Sequence, residues 1–134
     1  MKGKKMTRRF MREKTFELLF RADFYDQDGK IEQERYFLSE NEGEEGFDRI
    51  AARYESILRE LPAIDEEINE KTEGWKTTRM GKVELTVLRL AVYEIRFDPE
   101  VPTGVAINEA VELAKKYGAE NAPAFVNGIL AKFA

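Results

Sequence analysis

The chain contains neither cysteine nor histidine. The first absence excludes disulfides, thiolate catalysis and cysteine-ligated zinc. The second removes the commonest general base and metal ligand. Ser39 and Ser56 are the only serines, and neither sits in a nucleophile-elbow setting. There is no phosphate-cradling glycine loop, no dinucleotide fingerprint and no zinc spacing. Glu109 and Glu112 have the i, i+3 spacing of bundle carboxylates that hold metals, but such sites also use histidine. No metal, no cofactor, no catalytic residue and no enzymatic activity are therefore expected. No run of about 18 apolar residues occurs, so no membrane span is expected. The N-terminus is basic and lacks an apolar signal core, which points to a cytoplasmic protein.

What is present is a charge asymmetry. Residues 1–14 carry Lys2, Lys4, Lys5, Arg8, Arg9, Arg12 and Lys14 against Glu13, a net of +6, which leaves −10 on the rest of a chain whose total is −4. A basic arm on an acidic body is the pattern of a protein that touches nucleic acid at one end, the alternative being a solvated tail.

The other landmark is Val83–Phe97, VELTVLRLAVYEIRF, with apolar groups on nearly every side of a helix. A helix apolar all round belongs inside a bundle, and its length argues against a strand. Residues 81–97 are thus expected as a central helix covered by the others, with Thr77 or Thr78 as its cap.

A first helix is expected from about Met6 to Phe24. Lys5, Arg8, Arg9 and Arg12 fall at i, i+3, i+4, i+7, and the same stripe continues as Phe16, Leu19 and Phe20. One face is basic for two turns and apolar afterwards, which suits phosphate contacts where the helix overhangs the bundle. Phe10 and Met11 lie beside the stripe, placed either to support bases or to pack on the body. Asp26–Gly29 reads as a turn. Residues 30–38 read as a short helix with Ile31, Tyr36, Phe37 and Leu38 available for burial, and 39–46 as a solvated acidic loop without calcium-loop spacing.

Phe47–Leu61 is amphipathic, and Pro62 suits the first position of a separate helix over 62–72. The carboxylates Asp65, Glu66 and Glu67 are explained by the helix dipole. Gly74 ends that helix, and Trp75 is expected to anchor the connection. Thr103 is the expected cap of the next helix, which presents Ala106, Ala110, Leu113, Ala114 and Tyr117 and ends at Gly118. Asn121 caps a last helix with Phe125, Val126, Ile129, Leu130 and Phe133 inward, and Gly128 is expected to admit a close neighbour. The class is all-α: about seven helices, with no internal repeat and one domain over 1–134.

Three stretches, VLRLAVYEI at 87–95, VPTGVAINEAVELAKKYGAEN at 101–121 and FVNGIL at 125–130, resemble the NusB family of bacterial antitermination factors. RRFMREKTFELLF at 8–20 is similar to that family's arginine-rich first helix, and Ile64-Asp65 followed by Trp75 to its middle section. The resemblance spans nearly the whole chain. It implies two three-helix subdomains around a central buried helix. It also implies binding of single-stranded boxA RNA together with NusE, a ribosomal small-subunit protein, within the RNA polymerase antitermination complex. The outcome would be processive transcription and support of ribosomal RNA maturation.

Carried over by position, Arg8, Arg9, Arg12, Arg89, Tyr117 and Phe125 would contact RNA and Glu84 would face the protein partner; Lys5 joins the RNA contacts as part of the basic stripe, and Thr103 is assigned to the partner surface as well. Arg89 has an alternative as a buried ion-pair member. The chain departs from the family pattern at Leu85, where a basic residue is usual, and at Ala122-Pro123-Ala124. A C-terminal extension found in some members is not expected, and a homodimer is left open. The competing readings are a helical protein-interaction module, or the RNA-recognition domain of a ribosomal RNA cytosine methyltransferase, against which the missing methyltransferase domain speaks.

Overall fold

A computed structural model describes residues 6–74 and 76–134. Every regular element among them is helical. Six α-helices run in order: α1 (Arg8–Ala22), α2 (Gln27–Glu40), α3 (Phe47–Thr72), α4 (Lys82–Phe97), α5 (Thr103–Tyr117) and α6 (Ala122–Leu130). Single 3₁₀ turns lie at Thr77–Arg79 and Ala131–Phe133. The all-α class stands. Trp75 lies outside the described residues. The chain forms two compact units, one through Leu58 and one from Arg59 to Ala134.

The helix count falls below the expected seven because 47–61 and 62–72 are one helix of 26 residues, with Pro62 inside it. Proline in a helix interior removes one hydrogen bond and costs about 3 kcal/mol. Here Pro62 lies at an exposed position of the helix. Tyr54, Ile57, Ile64 and Ile68, buried before and after it, contribute roughly 1.5–3 kcal/mol per aliphatic side chain. Burial on both sides of the proline outweighs one lost bond.

In the first unit α1 buries Thr15, Phe16, Leu18, Leu19 and Ala22. Asp26 does not close a free turn but caps α2, its carboxylate accepting the Gly29 N–H at 2.8 Å. Of the four α2 residues expected inside, Phe37 is buried and Leu38 half-buried, while Ile31 and Tyr36 are 45% and 56% exposed. Phe37 is the sole buried residue of that helix. At the corner before α3, Gly46 has φ +95, and a Cβ there would stand 3.0 Å from the Met6 methyl, so the approach to α1 rests on this glycine.

In the second unit α4 buries nine of its sixteen residues, which makes it the covered helix its composition demands. Ile64 and Ile68 of α3, Ala106, Ala110, Leu113 and Ala114 of α5, and Val126, Ile129 and Leu130 of α6 supply further core. Gly81, not a threonine, is the N-cap of α4. Thr77 opens the 3₁₀ turn and its N–H donates to Asn69 Oδ1 at 2.8 Å. Thr103 is the first residue of α5, and Pro102 takes the cap position.

Two glycines differ from expectation. Gly118 ends α5 in an extended conformation, not a left-handed one. It is required by space, since a Cβ would meet Ala122 Cβ at 2.7 Å and the Ala114 carbonyl at 2.9 Å. Gly128 admits no close neighbour, because nothing lies within 4 Å of where its Cβ would be.

Candidate nucleic-acid interface

The basic stripe sits at the start of α1. Thr7 caps the helix, its hydroxyl accepting the Phe10 N–H at 3.0 Å, and no acid occupies the first turn. Arg8 and Arg9 are exposed and Arg12 is half-buried. Arg9 and Arg12 each also interact within the protein. Lys5 lies outside the described residues.

This placement runs against local preference. A helix N-terminus carries partial positive charge from its unpaired N–H groups, and cations there cost typically 0.3–1 kcal/mol each at an exposed site. Two arginines in the first turn therefore add positive charge where positive charge already is. The combination of open N–H groups and guanidinium forks is a receptor for anions, phosphate above all. Local conflicts of this kind are expected at functional or strained positions.

The residues after the arginines hold them in place. Phe10 is half-buried and meets Phe47 edge-on at 6.2 Å between ring centres, and Phe47 meets Phe37 at 5.4 Å. Lys14 lies 5.4 Å over the Phe10 ring and pairs with Glu17 at 3.3 Å. Of the two roles open to Phe10, the packing one describes its position. The Thr15 hydroxyl donates to the Met11 carbonyl at 2.8 Å, and the stripe then dives into the core at Phe16 and Leu19.

In the second unit Arg89 makes a two-pronged pair with Asp65: Nε to Oδ1 at 2.9 Å and the second fork nitrogen to Oδ2 at 2.7 Å. The two side chains are only 14% and 25% exposed. The ion-pair alternative describes this arginine, which ties α4 to α3. Tyr117 and Phe125, near the end of α5 and within α6, are half-buried, with the Lys116 ammonium 5.5 Å from the Tyr117 ring. Leu85, where the resemblance implied a basic residue, is buried core. Glu84 folds back over the N-cap, its Oε1 2.5 Å from where a Gly81 Cβ would be, so this carboxylate faces the positive end of α4. Thr103 is half-buried.

One cluster escapes sequence reasoning. Arg96 makes a hydrogen-bonded ion pair with Glu67 and lies 5.3 Å over the Phe133 ring, and Lys71 lies 5.5 Å over the same ring. Lys132 donates to the Lys71 carbonyl at 3.1 Å. Hydrogen bonding to Arg96 holds the Glu67 carboxyl below its ordinary range against the opposing effect of burial. The partners are 29 and 37 residues from Arg96, and no motif joins them.

Among the described residues no group of three or more acidic side chains could hold a metal ion, and no helix is long and apolar enough to cross a membrane.

Comparison with known proteins gives a consistent answer. The NusB family model matches residues 9–134. The transcription antitermination protein NusB of Agathobacter rectalis is 50% identical over 131 residues, covering 96% of this chain and 100% of that protein. The NusB of Lachnoclostridium phytofermentans is 47% identical over 129 residues, covering 95% and 98%. Among solved structures, T. maritima NusB superposes with a TM-score of 0.83 at 36% identity, covering 98% of this chain and 92% of that one. A chain in the crystal structure of a plectonemic RNA supercoil superposes with a TM-score of 0.80 at 29% identity, covering 94% and 93%.

Proposed function

Because the chain belongs to the NusB family of transcription antitermination proteins, we propose that it binds boxA-type single-stranded RNA together with the ribosomal protein NusE. In this reading it acts without catalysis, as a part of the RNA polymerase antitermination complex and in ribosomal RNA maturation. The observation that carries the reading is the pair of exposed arginines at the positive end of α1. Arg8, Arg9 and Arg12 take phosphates, and Lys5, outside the described residues, is assigned the same role from its place in the sequence. Tyr117 and Phe125 are assigned to RNA through the family, because half-exposed rings are suited to stacking on unpaired bases. Arg89, held by Asp65, is assigned to keeping α3 and α4 in register. Glu84 and Thr103 are assigned to the protein partner.

The experiment is RNA binding over a salt series, with and without the ribosomal partner. With about four phosphate contacts, log K falls against log salt with a slope of roughly −3 for a single strand. Arg8→Ala with Arg12→Ala reduces that slope by about 1.4 while helicity and partner binding persist. No binding to a boxA-like RNA under either condition would sink the reading in favour of a protein-interaction module. Loss of folding in the double variant would make the stripe structural. Sedimentation in the same series reads whether a homodimer competes with RNA.

A further inference from the structure

Of the five asparagines, at 41, 69, 108, 121 and 127, only Asn127 precedes a glycine; the others precede glutamate or alanine. Asparagine before glycine is the chemically labile arrangement. Glycine has no Cβ, so nothing hinders attack by its backbone nitrogen on the asparagine side-chain carbon. Asn127 and Gly128 are both exposed, and nothing lies within 4 Å of where a Gly128 Cβ would be. Water and base therefore reach both reacting groups.

What stands in the way is the helix. Both residues lie inside α6, and the Asn127 backbone carbonyl accepts the Ala131 N–H. That bond holds the peptide plane between Asn127 and Gly128 along the helix axis. The Gly128 nitrogen then points towards the carbonyl four residues back and not at the Asn127 side chain. Ring closure needs rotation of the Asn127 backbone well away from the helical ψ near −42°, which breaks α6 at that point. The helix has nine residues and no side-chain hydrogen bond at its N-cap. A helix so short is marginal on its own, and Val126, Ile129 and Leu130, buried on either side of the dipeptide, hold it closed.

We propose that Asn127-Gly128 is a spontaneous modification site gated by α6: the folded helix shields it, and opening of the helix exposes it to conversion into aspartate or isoaspartate.

The reaction balances with water as the only co-reactant. The Gly128 nitrogen gives up its proton to base and bonds to Asn127 Cγ. The Cγ–Nδ2 bond breaks, and the side-chain nitrogen leaves with that proton as ammonia. Water then opens the five-membered imide at either carbonyl. One opening gives aspartate. The other gives isoaspartate, whose main chain runs through the former side chain and is one methylene longer. Val126 before this link and Ile129 after it cannot then both keep their helical places in the core. A reversible opening of α6 is thus made permanent.

The test follows the full chain at one mildly alkaline pH, folded and, in parallel, unfolded in guanidinium chloride. Trypsin releases the fragment 117–132, bounded by Lys116 and Lys132, and tandem mass spectrometry assigns product to position 127 or 121. Product is expected at 127, formed at least about tenfold more slowly in the folded chain, the factor that about 1.4 kcal/mol of opening cost supplies. Equal rates, or no product in the unfolded chain, overturn the proposal. Ile129→Val trims a buried anchor without touching the dipeptide. It is expected to speed the folded-state reaction roughly two- to tenfold and to leave the unfolded rate unchanged. Gly128→Ala places a Cβ beside the attacking nitrogen and is expected to slow the reaction in both states; an unchanged unfolded rate overturns the route. Guanidinium below the unfolding midpoint reads the gate without any variant. The rate at 127 is expected to rise with its concentration, and a flat response overturns the gating by α6. None of these measurements involves RNA, so the outcome is separate from that of the functional proposal.

Discussion

The two units are built to different standards of burial. The second is organised on α4, with nine of sixteen residues inside, and α5 and α6 bring small or branched side chains against core. The first relies on α1 and the start of α3, and its α2 contributes Phe37 alone. Its unfavourable features are concentrated there too: arginines at a helix's positive end and an unpartnered buried hydroxyl. Regions that open or bind are drawn from the less stable parts of a fold. The contrast makes the second unit the more firmly packed of the two, with the exposed arginines of α1 on the first.

The strongest way to break this contrast is in the second core. Leu88 is fully buried, and Leu88→Ala is expected to cost about 2–5 kcal/mol in denaturant unfolding. A loss below about 1 kcal/mol would mean that the site collapses around the gap, and the second unit would then be no more tightly packed than the first. Next in size is Asp65→Ala, which strands the mostly buried Arg89 guanidinium. It is expected to destabilise by roughly 1–3 kcal/mol while leaving the salt slope of RNA binding unchanged. A changed slope would move Arg89 from the scaffold to the RNA contacts. The smallest effect sharpens the picture from the other side. Gly128 is helical with open space around it, so Gly128→Ala is expected to raise stability by about 0.5–1 kcal/mol. A thermal melt showing destabilisation would reveal a neighbour at α6 that the structure does not place there.

Much of the scaffold was legible in the sequence because burial leaves a periodic trace. The α4 run, the amphipathic start of α3 and the switch of the α1 stripe from arginine to phenylalanine all follow from spacing, and all sit where the periodicity puts them. What stayed illegible depended on balances between local rules and distant contacts. Pro62 reads as a boundary by every local rule, yet burial at Ile57 and Ile64 carries the helix through it. Ile31 and Tyr36 look like core by composition, but α2 has too little opposite it to cover them. An ion pair was foreseeable for Arg89 but its partner, 24 residues away, was not. The candidate site was legible in its charge at Arg8, Arg9 and Arg12. Its seating, through Phe10 on Phe47, was not.

The first turn of α1 also bears on how this protein should respond to its own ligand. A helix that begins with Arg8 and Arg9 lacks the negative charge that would settle its end. An anion bound there acts as the missing acid, and anything that binds only the folded chain stabilises it by mass action. Ligand binding and completion of the helix are then one event, and the melting temperature becomes a gauge of occupancy. On the proposed function, RNA is a detachable part of the fold, and salt, by competing for the same arginines, loosens the complex and the helix end together.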